Sequence, residues 1–81
     1  MANDFLEQAR QLVNPLTVGR LTSFRAGNRV FEVKKTGAFT YHLRDTGIQS
    51  RSRFGSRAEI IRDVAAALEG GALPGPSGRR W

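Results

Sequence analysis

The stretch FTYHLRDTGIQSRSRF, residues 39–54, alternates with a period of two, and its phase decides the fold. Phe39, Tyr41 and Leu43 share one parity; Thr40, His42 and Arg44 share the other. A strand here buries the first set and turns the second outward, because successive side chains point to opposite faces. Asp45-Thr46-Gly47 reads as a hairpin turn, with glycine supplying the positive φ that such loops often require. Beyond it, Ile48, Ser50, Ser52 and Phe54 alternate with Gln49, Arg51 and Arg53. That predicts a second strand with Ile48 and Phe54 inward and Gln49, Arg51 and Arg53 outward.

Upstream, Arg29-Val30-Phe31-Glu32-Val33-Lys34 reads as a strand with Phe31 and Val33 inside and Val30, Glu32 and Lys34 outside. Ala26-Gly27-Asn28 and Thr36-Gly37 read as the turns on either side of it. Leu16-Thr17-Val18 and Leu21-Thr22-Ser23-Phe24 are β-prone but irregular, with Gly19 at a bulge or bend.

A helix precedes and a helix follows these strands. Phe5, Leu6, Ala9, Leu12 and Val13 form one apolar stripe at helical spacing, and Asp4 and Glu7 stand at capping-box distance. Pro15 ends this helix by disfavouring α geometry at Asn14, so it covers about residues 4–13. Ser56 and Glu59 form a second capping box ahead of Ile60, Ile61, Val64, Ala65 and Leu68, and Gly70 is placed as the terminator. GALPGPSGRRW, residues 71–81, is rich in Gly and Pro and reads as a flexible tail. The expected architecture is one α+β domain over residues 1–70. It is a two-layer sandwich in which a three- or four-stranded antiparallel sheet lies between the two helices in the chain order and packs both on its apolar face.

The formal charge of +6 is unevenly distributed. Residues 16–55 hold Arg20, Arg25, Arg29, Lys34, Lys35, Arg44, Arg51 and Arg53 against only Glu32 and Asp45, and Arg79 and Arg80 lie in the tail. Residues 1–15 and residues 56–69 each sum to −1. Eleven arginines to two lysines fit a GC-rich genome, but codon bias does not explain the segregation. Clustered cations are the electrostatic footprint of a surface that meets a polyanion.

With the strand phases above, Lys34, His42, Arg44, Arg51 and Arg53 share the open face with Thr40 and Gln49. Guanidinium groups match phosphate oxygens and can reach guanine bidentately. These residues, with Arg57 at the head of the last helix, are the expected nucleic-acid-binding set. Arg79, Arg80 and Trp81 would add phosphate contacts and a stacking ring, or anchor the tail in a protein partner.

Other chemistries lack their residues. The chain has no cysteine and one histidine, so a thiolate metal site is excluded and His42 has no ligand partners in the sequence. No glycine run precedes a Lys-Ser/Thr pair, and no serine has a base beside it in sequence. Neither an enzyme activity nor a metal or cofactor is expected. Without a signal segment or a run of ~20 apolar residues, the protein is expected to be cytoplasmic with no membrane partner.

In element order, a helix, three strands and a helix resemble double-stranded-RNA-binding domains. The segment Phe54-Gly55-Ser56-Arg57-Ala58-Glu59, entering an alanine-rich helix, is similar to their last strand-to-helix junction. That family grips phosphates with lysines at the start of its final helix, where this chain has Arg57. Three strands and a helix also resemble the arm-binding domains of phage integrases and a class of plant DNA-binding domains, which lay their sheet in the major groove. The likeness spans most of residues 29–69, is one of element order rather than motif, and implies DNA more than RNA.

The expected function is therefore a small basic nucleic-acid-binding accessory or regulatory protein, of the kind phages, plasmids and bacteria encode. The alternative is an interaction module or inhibitor that docks on an acidic protein surface and uses the tail as an anchor. Either class is compatible with a homodimer formed through an edge strand in residues 16–24.

Overall fold

In the computed structural model the described residues are 3–47 and 52–70. Ile48, Gln49, Ser50, Arg51 and residues 71–81, including Arg79, Arg80 and Trp81, lie outside them, as does the side chain of Asp4. The chain runs α1 (Asn3–Val13), β1 (Leu21–Ala26), β2 (Arg29–Lys35), β3 (Tyr41–Asp45), β4 (Ser52–Gly55) and α2 (Arg57–Gly70). The four strands form one antiparallel meander in the order β1-β2-β3-β4. The α+β order expected from the sequence is the order observed, with four strands.

Turn chemistry sets the register. Gly27 has φ +63° while Asn28 has no positive φ, as a type II′ turn requires. This joins β1 to β2 with Ala26 opposite Arg29 and Phe24 opposite Phe31. Gly19 has φ +86°, and its N–H donates to the Lys35 carbonyl at 2.8 Å, so the expected bend lies just before β1. Between β2 and β3, the N–H groups of Thr36 and Gly37 both donate to the Thr40 carbonyl, and the two threonine hydroxyls are 2.9 Å apart.

That closure corrects one expectation. The alternation of Phe39 with Tyr41 and Leu43 predicts an inward Phe39, but the strand starts at Tyr41 and Phe39 is 83% exposed. Thr36 and Thr40 tie off the ladder, which leaves residues 37–39 in the loop where strand parity no longer applies. Thr40 therefore closes the loop rather than standing on the sheet face.

A second correction concerns β4. Leu43 faces Arg53 and His42 faces Phe54 across the last ladder. Directly opposed residues share a face, so Arg53 lies on the helix-covered side and Phe54 on the open side. The sequence predicts the reverse. The cause is on α2: Asp63 accepts a hydrogen bond from Arg53 Nε at 3.2 Å, so the helix supplies the carboxylate that lets a guanidinium sit at the margin of the core. Gly55 fits the same arrangement. A Cβ there would come within 2.6 Å of Glu59 Oε1, so the helix approaches the strand too closely for a larger residue without a shift of that side chain.

The core is built from Ala9 and Val13 of α1, Phe24, Ala26, Phe31, Val33, Tyr41 and Leu43 of the sheet, and Ile60, Ile61, Val64 and Ala67 of α2. Phe24 and Phe31 stack with ring centroids 5.2 Å apart. α2 lies against β1, β3 and β4, and α1 packs along α2. The head of α2 is held by a reciprocal cap: Ser56 N–H donates to Glu59 Oε1 at 2.9 Å, and Glu59 N–H donates to Ser56 Oγ at 3.3 Å. The bond from the Ser56 N–H, and after it the Ser56 side chain beside the carboxyl, hold Glu59 below its ordinary pKa. No helix among the described residues is long and apolar enough to cross a membrane.

Candidate functional site

α2 covers one face of the sheet, with α1 packed along it, and the other face is left open. Its side chains fall into rows fixed by the register. Leu21, Lys34, His42 and Phe54 form one row across all four strands; Ser23, Glu32, Arg44 and Ser52 form the next. Arg25 and Val30 stand beyond them on β1 and β2. Neighbouring strands are about 4.8 Å apart, so each full row spans roughly 14 Å.

Three of the cations on this face come from different strands: Arg25, Lys34 and Arg44. Arg44 Nη2 donates to Glu32 Oε1 at 2.6 Å, with both side chains partly exposed. Such a pair is worth at most about 1 kcal/mol, so it orients Arg44 without locking it. Arg25 and Lys34 are exposed and make no ion pair among the described residues. A shallow hollow of about 250 Å³ lies between Leu21, Glu32, Lys34, His42 and Arg44.

His42 stands in the first of these rows, between Lys34 and Phe54. Its ring stacks on Phe54 with centroids 4.2 Å apart and 10° between planes, and Nε2 is buried with no hydrogen-bond partner. Burial pushes the imidazole below its ordinary pKa of 6.5, and the charges of Arg44 and Lys34 act in the same direction. The unfolded chain therefore takes up the His42 proton first as pH falls, so stability is complete above about pH 6.5 and declines below it. Thermal melts by circular dichroism from about pH 8 to about pH 5.5 should show a falling Tm, and the His42→Phe variant should show a shallower fall. Equal slopes for the two proteins would remove His42 as the cause.

The expected binding residues do not all meet. Lys34, His42 and Arg44 share the open face. Arg53 lies behind it, paired with Asp63, whose own carboxyl burial pushes above its ordinary pKa against the opposing pull of Arg53. Arg57 is exposed at the first turn of α2, where it lines a separate groove of about 420 Å³ with Lys35, Phe39 and Tyr41. Gln49, Arg51, Arg79, Arg80 and Trp81 lie outside the described residues.

Two members of the face are not in the expected set. Arg25 follows from the alternation of Leu21, Ser23 and Arg25 against Thr22, Phe24 and Ala26, a pattern present in the sequence. Phe54, 71% exposed, does not follow from hydropathy at all. The available clue was Asp63, a carboxylate on the buried stripe of α2 between Ile60 and Ala67, which calls for a cation opposite. Among the described residues no group of His, Asp and Glu is arranged to hold a metal ion. No family model matches the chain, and neither a curated protein nor a solved structure matches it.

Proposed function

We propose that the protein is a small nucleic-acid-binding accessory or regulatory protein whose ligand lies on the open face of the sheet. The observation that carries this reading is the placement of Lys34 and Arg44 beside His42, with Arg25 farther along on β1, all on the uncovered face of the sheet. Phosphates are the natural partners of such a set, because each contact releases condensed counterions and a guanidinium can meet two phosphate oxygens at once. Glu32 is the one carboxylate in these rows, and its exposed pairing with Arg44 can be exchanged for a phosphate at little cost.

Three neutralised phosphates predict a slope near −2.7 for the logarithm of duplex affinity against that of salt concentration, or roughly a 40-fold loss for a fourfold rise in salt. Mobility shifts with duplex DNA, duplex RNA and single strands at two salt concentrations measure it. The Arg25→Ala, Lys34→Ala, Arg44→Ala triple variant should bind weakly and with a flatter salt response. Binding equal to wild type in that variant, or no salt-sensitive shift with any of these ligands at micromolar protein, would defeat the reading.

A second reading has its own observation. Leu21, Val30 and Phe54 are exposed apolar side chains among the cations, a mixture that an acidic protein surface could also cover. Capture of a protein partner that survives nuclease treatment of the lysate, and that the triple variant loses, would favour this reading over nucleic acid.

A further inference from the structure

We infer that the ligand of the open face is a single-stranded nucleic acid and that Phe54, backed by His42, is the ring on which one of its bases stacks. The inference rests on the nucleic-acid reading and narrows it to strand state and to a contact residue.

Phe54 is the feature that a duplex leaves unexplained. It stands on an edge strand, 71% exposed, where a polar residue would cost nothing in packing. Its ring is nevertheless held in place, nearly parallel to His42 with centroids 4.2 Å apart. His42 is itself half-buried within β3, so it backs one face of the Phe54 ring and leaves the other face uncovered. A duplex keeps its base faces inside its own stack and offers proteins only edges, sugars and phosphates. A single strand offers π-faces, and any base can use one.

The surrounding charges suit the same ligand. Lys34 is directly opposite His42 in the row that ends at Phe54, and Arg44 is two residues along β3 from His42. A strand that stacks a base on Phe54 can therefore run its backbone over both cations. Leu21, at the far end of the same row, offers a second apolar contact. An aromatic ring beside cations on an uncovered sheet is the combination that sequence-tolerant single-strand binders use.

The test uses the full chain and labelled oligo(dT) of about 15 nucleotides, beside a duplex of equal length, read by fluorescence anisotropy. Wild type should prefer the single strand. Phe54→Ala and Phe54→Leu should each weaken oligo(dT) binding roughly tenfold or more, whereas Phe54→Trp should retain it. Leucine preserves apolar bulk and tests stacking separately from burial. Because the ring is exposed, both variants should melt close to wild type, and the melts are recorded alongside. Oligo(dT) binding unchanged in the leucine variant, or a duplex bound more tightly than the single strand, would overturn the inference. Salt-sensitive duplex binding that depends on Lys34 and Arg44 but not on Phe54 would overturn it while leaving the nucleic-acid reading intact. Absence of binding to either ligand would remove both, and a nuclease-resistant protein partner that needs Phe54 would replace them.

Discussion

Phe31→Ala is expected to lower stability by about 3–5 kcal/mol, enough to unfold much of the population of a domain this small near its growth temperature. Phe31 is fully buried in the middle of β2, stacked on Phe24 and surrounded by the residues that α2 covers. Truncation removes the transfer energy of the ring and leaves a cavity that Phe24 cannot fill without leaving its own position. At roughly 4–8 °C per kcal/mol for a chain of this length, Tm should fall by something on the order of 15–30 °C. Urea or thermal unfolding followed by far-ultraviolet circular dichroism gives the value directly. A fall of only a few degrees would mean that Phe31 does not occupy the core as described.

The second large effect is expected at Asp45, the most deeply buried charge among the described residues. Its carboxylate, 1% exposed, accepts a hydrogen bond from Arg29 Nη1 at 2.5 Å and another from the Gly47 N–H at 2.9 Å. The first tie joins the start of β2 to the end of β3, and the second shapes the turn that leads toward β4. Asp45→Ala breaks both. Arg29 is partly exposed and can turn to water once its partner is gone, so the loss falls below that of a fully buried pair, at about 2–3 kcal/mol. Asp45→Asn keeps an acceptor for Gly47 and should recover part of it. Denaturant midpoints for the two variants check the order; a cost under about 1 kcal/mol for alanine would show the pair to be an ordinary surface contact.

Phe31 shows where the sequence was legible, whereas Asp45, read only as a turn residue, ends β3 as a buried charge. Strong alternation carries its own phase, and in β2 and β3 it placed Phe31, Val33, Tyr41 and Leu43 inward as observed. The same was true of the Ser56–Glu59 cap, because the two residues are three apart and need nothing from the rest of the chain. What failed depended on distant partners. Phe39 continues the alternation of β3, but the Thr36–Thr40 closure ends the ladder before it. In β4 only Phe54 carried a strong hydropathy signal, and serines gave none to oppose it. The deciding residue was Asp63, ten positions downstream on another element, which draws Arg53 to the helix side and so turns Phe54 out. The candidate site inherits that limit. Its cations on β2 and β3 could be read from alternation, whereas its exposed ring could be read only after the α2 carboxylate had been matched to an arginine.

Glu32 has a further consequence for what this surface can select. It already satisfies Arg44 within the molecule. A lone small anion arriving there would merely swap one negative group for another and gain almost nothing. A polymer that brings linked charges to Arg44, Lys34 and Arg25 together gains at two additional positions for a single displacement, and the linkage makes the later contacts intramolecular. On the nucleic-acid reading proposed above, the internal carboxylate would lessen the gain of a single anion at Arg44 and favour ligands whose charges come in series.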